Sequence, residues 1–370
     1  MLAGAVIGSA IAEMMKGGTM YQCSKEVRKF HDDKVTLRSK ERTNMRERRD
    51  ANRKRLKKGL ADNNDPSPTG QWTQGSYAMR TMIQETGSKY DIDDGVYFSR
   101  DSLKGTQGAE KTAIAARNMV RDAIDDGTFT RAPKVKKNCV RVYYSPGYHV
   151  DIPVYRTWEE EGLFGEVIER LQLASADWKD SDPLKVTEWF NNAMKELSPP
   201  DDNTQFRRIV RLHKKFSNSR ESWRDKTPSG FTVSKLCQEE YVPASGDDEK
   251  SLHLTMKAIK ARLDFDLSVA HPVVSEELAG DNDPKTEFLR QKLVENLKHL
   301  EILDDPNCTK KDALAAWAKV FNDEFFEELA DKEESSSSKN SAGVAALSVG
   351  LLADDAGAEA VQKSGGGRFG

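Results

Sequence analysis

Three aspartates and a glycine-serine pair are the residues whose types and spacing could do chemistry. In Tyr90-Asp91-Ile92-Asp93-Asp94-Gly95-Val96-Tyr97-Phe98 acids alternate with apolar residues, the pattern of a strand whose successive side chains point to opposite faces. Asp91 and Asp93 then project side by side, while Ile92, Val96 and Phe98 enter a core. Two carboxylates on one rigid element suit a pair of divalent cations about 3.5 to 4 Å apart, set against a polyphosphate. His149-Val150-Asp151-Ile152-Pro153-Val154 repeats the alternation and makes Asp151 a third candidate ligand. Upstream, Gln74-Gly75-Ser76-Tyr77 supplies a glycine that lets the backbone approach a phosphate, then a hydroxyl and free amides at a helix start. A lone acid of this kind is commonly just the solvated face of a sheet; three in this order, downstream of Gly-Ser, point to phosphate chemistry. Asp94 falls on the apolar face, either turned out by a bulge at Gly95 or hydrogen-bonded in place. His149 reads as a packing or supporting residue beside the acids.

The elements that position these residues are legible in outline. Lys25 to Leu60 is rich in Arg, Lys and Glu, has no Pro or Gly before Gly59, and carries Leu37, Met45, Leu56 and Leu60 as sparse apolar anchors. This predicts one long, mostly solvated helix, assigned to 20–62, that braces two lobes. The turn-rich Asn63–Gly70 then opens a mixed alpha/beta core over 63–157, with strands around Asp91 and from Val140 to Tyr155 and a helix within Ala109 to Asp126. A helical domain is expected over 158–330, with helices at Leu163–Ala174, Pro183–Leu197, Gln205–Phe216, Phe231–Glu240, Leu252–Leu263, Lys285–Leu303 and Lys311–Leu329. Residues 1–19 read as a flexible extension. Residues 331–370, rich in Ser, Ala and Gly, read as a disordered tail ending at Gly370.

Composition narrows the function classes. A chain of 370 residues is long enough for two lobes and a cleft. Its formal charge of -3 argues against a nucleic-acid coat. Cys23, Cys139, Cys237 and Cys308 lie far apart, without zinc or disulfide spacing, which fits a reducing cytoplasm. The apolar stretch at residues 2–15 lacks a basic flank and is too short to span a bilayer, so no membrane association is expected. Nothing resembles a P-loop.

The run QGSY, DIDDGVYF, HVDIPVY resembles the cGAS/DncV-like nucleotidyltransferases of bacterial anti-phage (CBASS) systems, and within them the DncV-like cyclic dinucleotide synthases. The resemblance implies an α+β fold: a DNA polymerase beta-like core, with a mixed sheet and helices, packed on a C-terminal helical domain. It further implies that Gly75 and Ser76 hold a donor triphosphate and that Asp91, Asp93 and Asp151 bind two Mg2+ ions, or Mn2+ in their place. A looser likeness through FRRIVRLHKKF and TPSGFTVSKL puts Lys214 and Ser229 on the donor phosphates. Arg207, Arg208, Arg211 and Lys215 read as a solvated helix face.

The activity implied is the joining of ATP and/or GTP into a cyclic di- or trinucleotide with release of pyrophosphate. Rival readings are a linear nucleotide-adding enzyme of the oligoadenylate or tRNA-modifying type, which the basic stretch Arg42–Lys58 would favour, and an inactive nucleotide-binding adaptor. Some members of the resembled family are encoded beside a ubiquitin-activating and conjugating-like enzyme, which implies such a partner acting on Gly370.

Overall fold

The computed structural model describes residues 23–84, 90–105, 108–145 and 147–333. The expectations for residues 1–19 and for Gly370 lie outside that range. Two hydrophobic cores organise the molecule, one under a sheet and one among helices.

The N-terminal segment belongs to both. Helix α1 (Ser24–Phe30) continues as a π turn (His31–Val35), and α2 (Ser39–Asp62) follows. Val27, Phe30 and Val35 pack in the helical core, whereas Leu37, Met45, Leu56 and Leu60 pack in the sheet core. The single helix expected over 20–62 is therefore broken. Thr36 is extended at φ -67° and ψ 129° and bridges to Ile83, because the chain must change cores there and one straight helix cannot direct Phe30 and Leu37 to different partners. The broken segment packs in both cores.

The sheet has eight strands: β1 (Gly70–Gln74), β2 (Asp91–Ser99), β3 (Lys134–Val135), β4 (Val140–Tyr144), β5 (Tyr148–Ile152), β6 (Val154–Glu161), β7 (Val167–Ala174) and β8 (Trp178–Asp180). Their order is β3-β4-β5-β2-β6-β7-β8, with β1 paired antiparallel to β2. Short α3 (Gly75–Ala78) follows β1, and α4 (Ala113–Ile124) covers the sheet face opposite the acids, with α2 beside it. Buried Ile92, Val96, Phe98, Val142 and Val150 line that covered face.

A helix over Leu163–Ala174 and a core ending at Thr157 are both overturned. Residues 154–174 form the β6–β7 hairpin, so the sheet runs to Asp180. Most side chains at the hairpin's outer end are exposed, and without a buried face the period-2 signal of a strand is lost. Its turn contains Gly165 at φ +81°, a left-handed conformation that suits glycine.

The helical domain comprises α5 (Pro183–Leu197), α6 (Gln205–Ser217), α7 (Gly230–Glu240), α8 (Asp248–Phe265), α9 (Pro284–Leu300) and α10 (Lys310–Phe321). Three corrections apply. Left-handed Asn322 (φ 49°) ends α10 short of Leu329, residues 331–333 continue the next helix instead of starting a disordered tail, and a short antiparallel pair, β9 (Val269–Ala270) and β10 (Glu277–Ala279), lies between α8 and α9. No helix among the described residues is long and apolar enough to cross a membrane.

Candidate active site

Strand register alone gathers the acids. β2 and β5 run parallel, with Asp91 opposite His149, Ile92 opposite Val150 and Asp93 opposite Asp151. Residues paired across strands share a face, so Asp91, Asp93 and Asp151 converge, each offering a ligand oxygen within 4.8 Å of the others. Asp94 points the other way and is buried. It accepts from Arg53 Nε at 2.7 Å and from the Thr73 hydroxyl at 3.1 Å, and β1 pairs through Gly95 without a bulge. Of the two readings left open for Asp94, the structure takes the hydrogen-bonded one.

Crowding sets the protonation of the cluster. Burial, then the neighbouring Asp91 and Asp151, push Asp93 up to about 8. Asp91 stands at the open edge of the cleft; enclosure by the cleft walls, then Asp151, also raise its pKa. Arg141 is the counter-charge. On β4, directly opposite Asp151, it donates Nε to Oδ1 at 2.7 Å and Nη2 to Oδ2 at 2.6 Å. Arg141 was missed in the sequence, although folding Val140–Ile152 as a hairpin about Tyr144 and Tyr148 places it opposite Asp151. His149, half-buried two residues away, has its pKa lowered by burial and then by Arg141.

Gly75 opens α3 against this cluster. Its φ of +64° favours glycine, and a Cβ there would collide with the Asp93 carboxylate. The preceding residue fixes the approach: Gln74 is buried, donates Nε2 to the Tyr155 hydroxyl at 2.7 Å and accepts from the Tyr97 hydroxyl at 3.3 Å. Ser76 lines a cavity of ≈ 220 Å³ with Thr81, Tyr90, Asp91 and Lys214.

Lys214, on α6, is buried and donates Nζ to Thr81 Oγ1 at 2.9 Å. Burial, then Arg211, lower it to about 8. Ser229 caps α7, accepting from Thr232 N–H at 3.1 Å. Its neighbour Gly230 lies against Lys214, with a Cβ position 3.3 Å from Cε, so Ser229 flanks the cavity with its hydroxyl already engaged in the cap.

The basic residues around Lys214 are not a solvated face. Arg208 is buried between Asp202 and Asp248, and Arg211 donates Nε to Arg80 O at 2.9 Å and packs by His31. Lys215 pairs with Asp323 at 3.3 Å. Arg207 is half-buried, with Nε lacking a partner. An Arg-rich helix that packs between two domains is indistinguishable by composition from one that faces water.

Known proteins are similar to this chain in sequence and fold. The family model "Cyclic GMP-AMP synthase DncV-like, nucleotidyltransferase domain" matches residues 70–155. A cyclic GMP-AMP synthase of Escherichia albertii is 26% identical over 258 residues, 68% of this chain and 54% of that protein. The chain thus spans about half the length of this curated relative. Vibrio cholerae DncV, solved with nonhydrolyzable GTP, superposes with a TM-score of 0.63 at 17% identity over 81% of this chain and 95% of that one. Escherichia coli DncV bound to 3′-deoxy GTP gives 0.60 at 16%, over 80% and 94%. Asp91, Asp93 and Asp151, brought together by the sheet, all lie inside the stretch that matches the DncV-like nucleotidyltransferase-domain model.

Proposed function

We propose that the protein joins nucleoside triphosphates, ATP and/or GTP, into a cyclic di- or trinucleotide and releases pyrophosphate. The carrying observation is the convergence of three carboxylates within 4.8 Å, beside a glycine-serine helix start and a buried lysine. The donor set is all oxygen and carries too little positive charge of its own, as the upward shift at Asp93 attests. It therefore fits a hard divalent cation such as Mg2+ or Mn2+. Bound there by Asp91, Asp93 and Asp151, two such ions would supply Lewis-acid stabilisation of the attacking and leaving oxygens.

The protein's own groups do the rest. Gly75 and Ser76 receive the donor triphosphate, Lys214 adds a cation and Ser229 flanks it. Asp151, oriented by Arg141, faces the side from which a ribose hydroxyl attacks the α-phosphorus. The new bond joins that oxygen to phosphorus, the bond to pyrophosphate breaks, and the hydroxyl proton leaves to a nearby carboxylate or water. A second transfer closes the ring. Two further findings on relatives support the reading: Vibrio cholerae DncV has been solved with the linear intermediate pppA(3′,5′)pG, at a TM-score of 0.61, and the curated relative is itself a cyclic GMP-AMP synthase.

Incubation with the four nucleoside triphosphates and Mg2+, then phosphatase digestion and mass spectrometry, tests the proposal. A phosphatase-resistant product is expected; a phosphatase-sensitive chain favours the linear rival, and no product favours the adaptor. A cytoplasmic anti-phage role and conjugation through Gly370 belong to the same reading and rest on the sequence resemblance alone.

A further inference from the structure

The acid cluster is furnished differently on its two sides. Toward β1 and α6 lie Gly75, Ser76, Thr81 and Lys214, groups suited to a triphosphate. Toward β5 and β4 the same sheet face continues in two rows fixed by register: Asp93, Asp151, Arg141 and Asp91, His149, Tyr143. The rings of His149 and Tyr143 meet edge to face with centroids 5.2 Å apart, and the Arg131 guanidinium lies 3.6 Å from the Tyr143 ring centre. Both rings are half-buried, whereas Val142 and Val150 on the opposite face are wholly in the core.

An in-line transfer brings the attacking hydroxyl to the side of phosphorus opposite the leaving pyrophosphate. With the triphosphate toward Ser76 and Lys214, the hydroxyl must come from the β5 side. Tyr143 lies two strands from Asp91, about 10 Å at ordinary strand spacing, a span that one nucleoside bridges when its ribose hydroxyl is at the acids. We infer that Tyr143 and His149 are positioning residues that hold the base of the hydroxyl-bearing nucleotide, with Arg131 steadying the Tyr143 ring by its cation-π contact. Every base has a π face, so such a platform orients the acceptor without choosing its identity. The inference rests on the nucleotidyltransferase reading.

The test separates donor from acceptor. A 2′,3′-dideoxynucleoside triphosphate has no hydroxyl and can only donate; a nucleotide with an α,β-methylene triphosphate can only accept. Pyrophosphate release is followed while each is varied. Tyr143→Leu and His149→Leu should each raise the acceptor KM about tenfold, the scale of one lost base-aromatic stack, and leave the donor KM within about twofold. Tyr143→Phe, which keeps the ring and loses only the hydroxyl, should leave the acceptor KM near the wild-type value, while a general packing defect shows as donor and acceptor KM rising together. Should Tyr143→Leu fail to fold, His149→Leu decides the matter. Unchanged acceptor KM in the leucine variants, or donor and acceptor KM rising together, overturns the inference and leaves the nucleotidyltransferase reading standing. A wild-type protein that releases no pyrophosphate from this pair of nucleotides overturns both.

Discussion

Two groups of aspartates, one in each part of the molecule, sit in opposite electrostatic settings. In the helical domain Asp202 and Asp248 flank Arg208, which donates Nε to Asp248 at 2.6 Å and Nη1 to Asp202 at 3.0 Å. Arg28 stands 3.5 Å from Asp248 and 3.7 Å from Asp202. Hydrogen bonding to Arg208 lowers the Asp202 pKa. In the sheet, Asp91, Asp93 and Asp151 crowd together with Arg141 committed to Asp151, and Asp93 rises to about 8. Charges that serve the fold are balanced within it. A cluster left short of cations repels itself and is kept for something the polypeptide does not contain.

Removing charge should therefore have opposite consequences in the two places. Asp91→Ala with Asp93→Ala is expected to abolish product, beyond about a thousandfold, since several kcal/mol of charge stabilisation is lost. Thermal stability should stay equal or rise, because repulsion is relieved. A double variant that released pyrophosphate at the wild-type rate would show that the site lies elsewhere. Arg208→Leu should do the reverse to the fold. It takes its closest counter-charge from buried Asp248, leaving only Arg28 at 3.5 Å, a loss of about 3 to 5 kcal/mol, or roughly 5 °C in Tm for a chain of this size. A Tm unchanged by Arg208→Leu would mean that the helical cluster is no better balanced than the triad.

The third difference is one of pH. Asp93 binds its proton more tightly in the folded chain, at about 8 against an ordinary 3.8. The folded state thus holds more protons than the unfolded state between those values. The associated stability is complete below about 4 and is lost as pH rises through 8. Without divalent metal, the Tm of the wild type relative to Asp93→Asn should fall by several degrees from pH 5 to pH 9. Metal affinity should climb over the same interval, because binding must displace the Asp93 proton. A flat Tm difference would place Asp93 in a more solvated setting than the structure gives it.

How much of this was written in the sequence depends on whether a residue's partner is near it along the chain. The triad was legible because strand alternation alone puts Asp91 and Asp93 on one face and Asp151 opposite its own core valines. Arg141 was within reach of the same reasoning through the tight hairpin that pairs it with Asp151. The break at Thr36–Arg38 was not, since it is imposed by two cores assembled from distant segments. The β6–β7 hairpin was hidden for another reason: with both faces open toward its tip, its Glu, Leu and Arg content reads as helix. Arg208 and Arg211 were misassigned to solvent because their partners, Asp248 and the Arg80 carbonyl, lie 40 and 131 residues away.

Between the two clusters, at the end of α6 facing the cleft, Lys214 is the smallest and sharpest test of the contrast. It is a buried cation bonded through Nζ to the Thr81 hydroxyl and carbonyl, with no carboxylate in ion-pair contact among the described residues. Burial, then Arg211, bring it to about 8, so its charge is present at pH 7 and fades above pH 8. If that charge is kept for the donor triphosphate, Lys214→Met should raise the donor KM about tenfold or more, the scale of one lost hydrogen bond to a charged group, with a smaller effect on kcat. The wild-type donor KM should also rise between pH 7 and pH 9 as the lysine deprotonates, while that of Lys214→Met stays high and flat. Met keeps the length and apolar bulk of the stem, so a packing role alone predicts neither the KM shift nor the lost pH dependence. Equal donor KM in the two proteins across that range would return Lys214 to the fold, alongside Arg208.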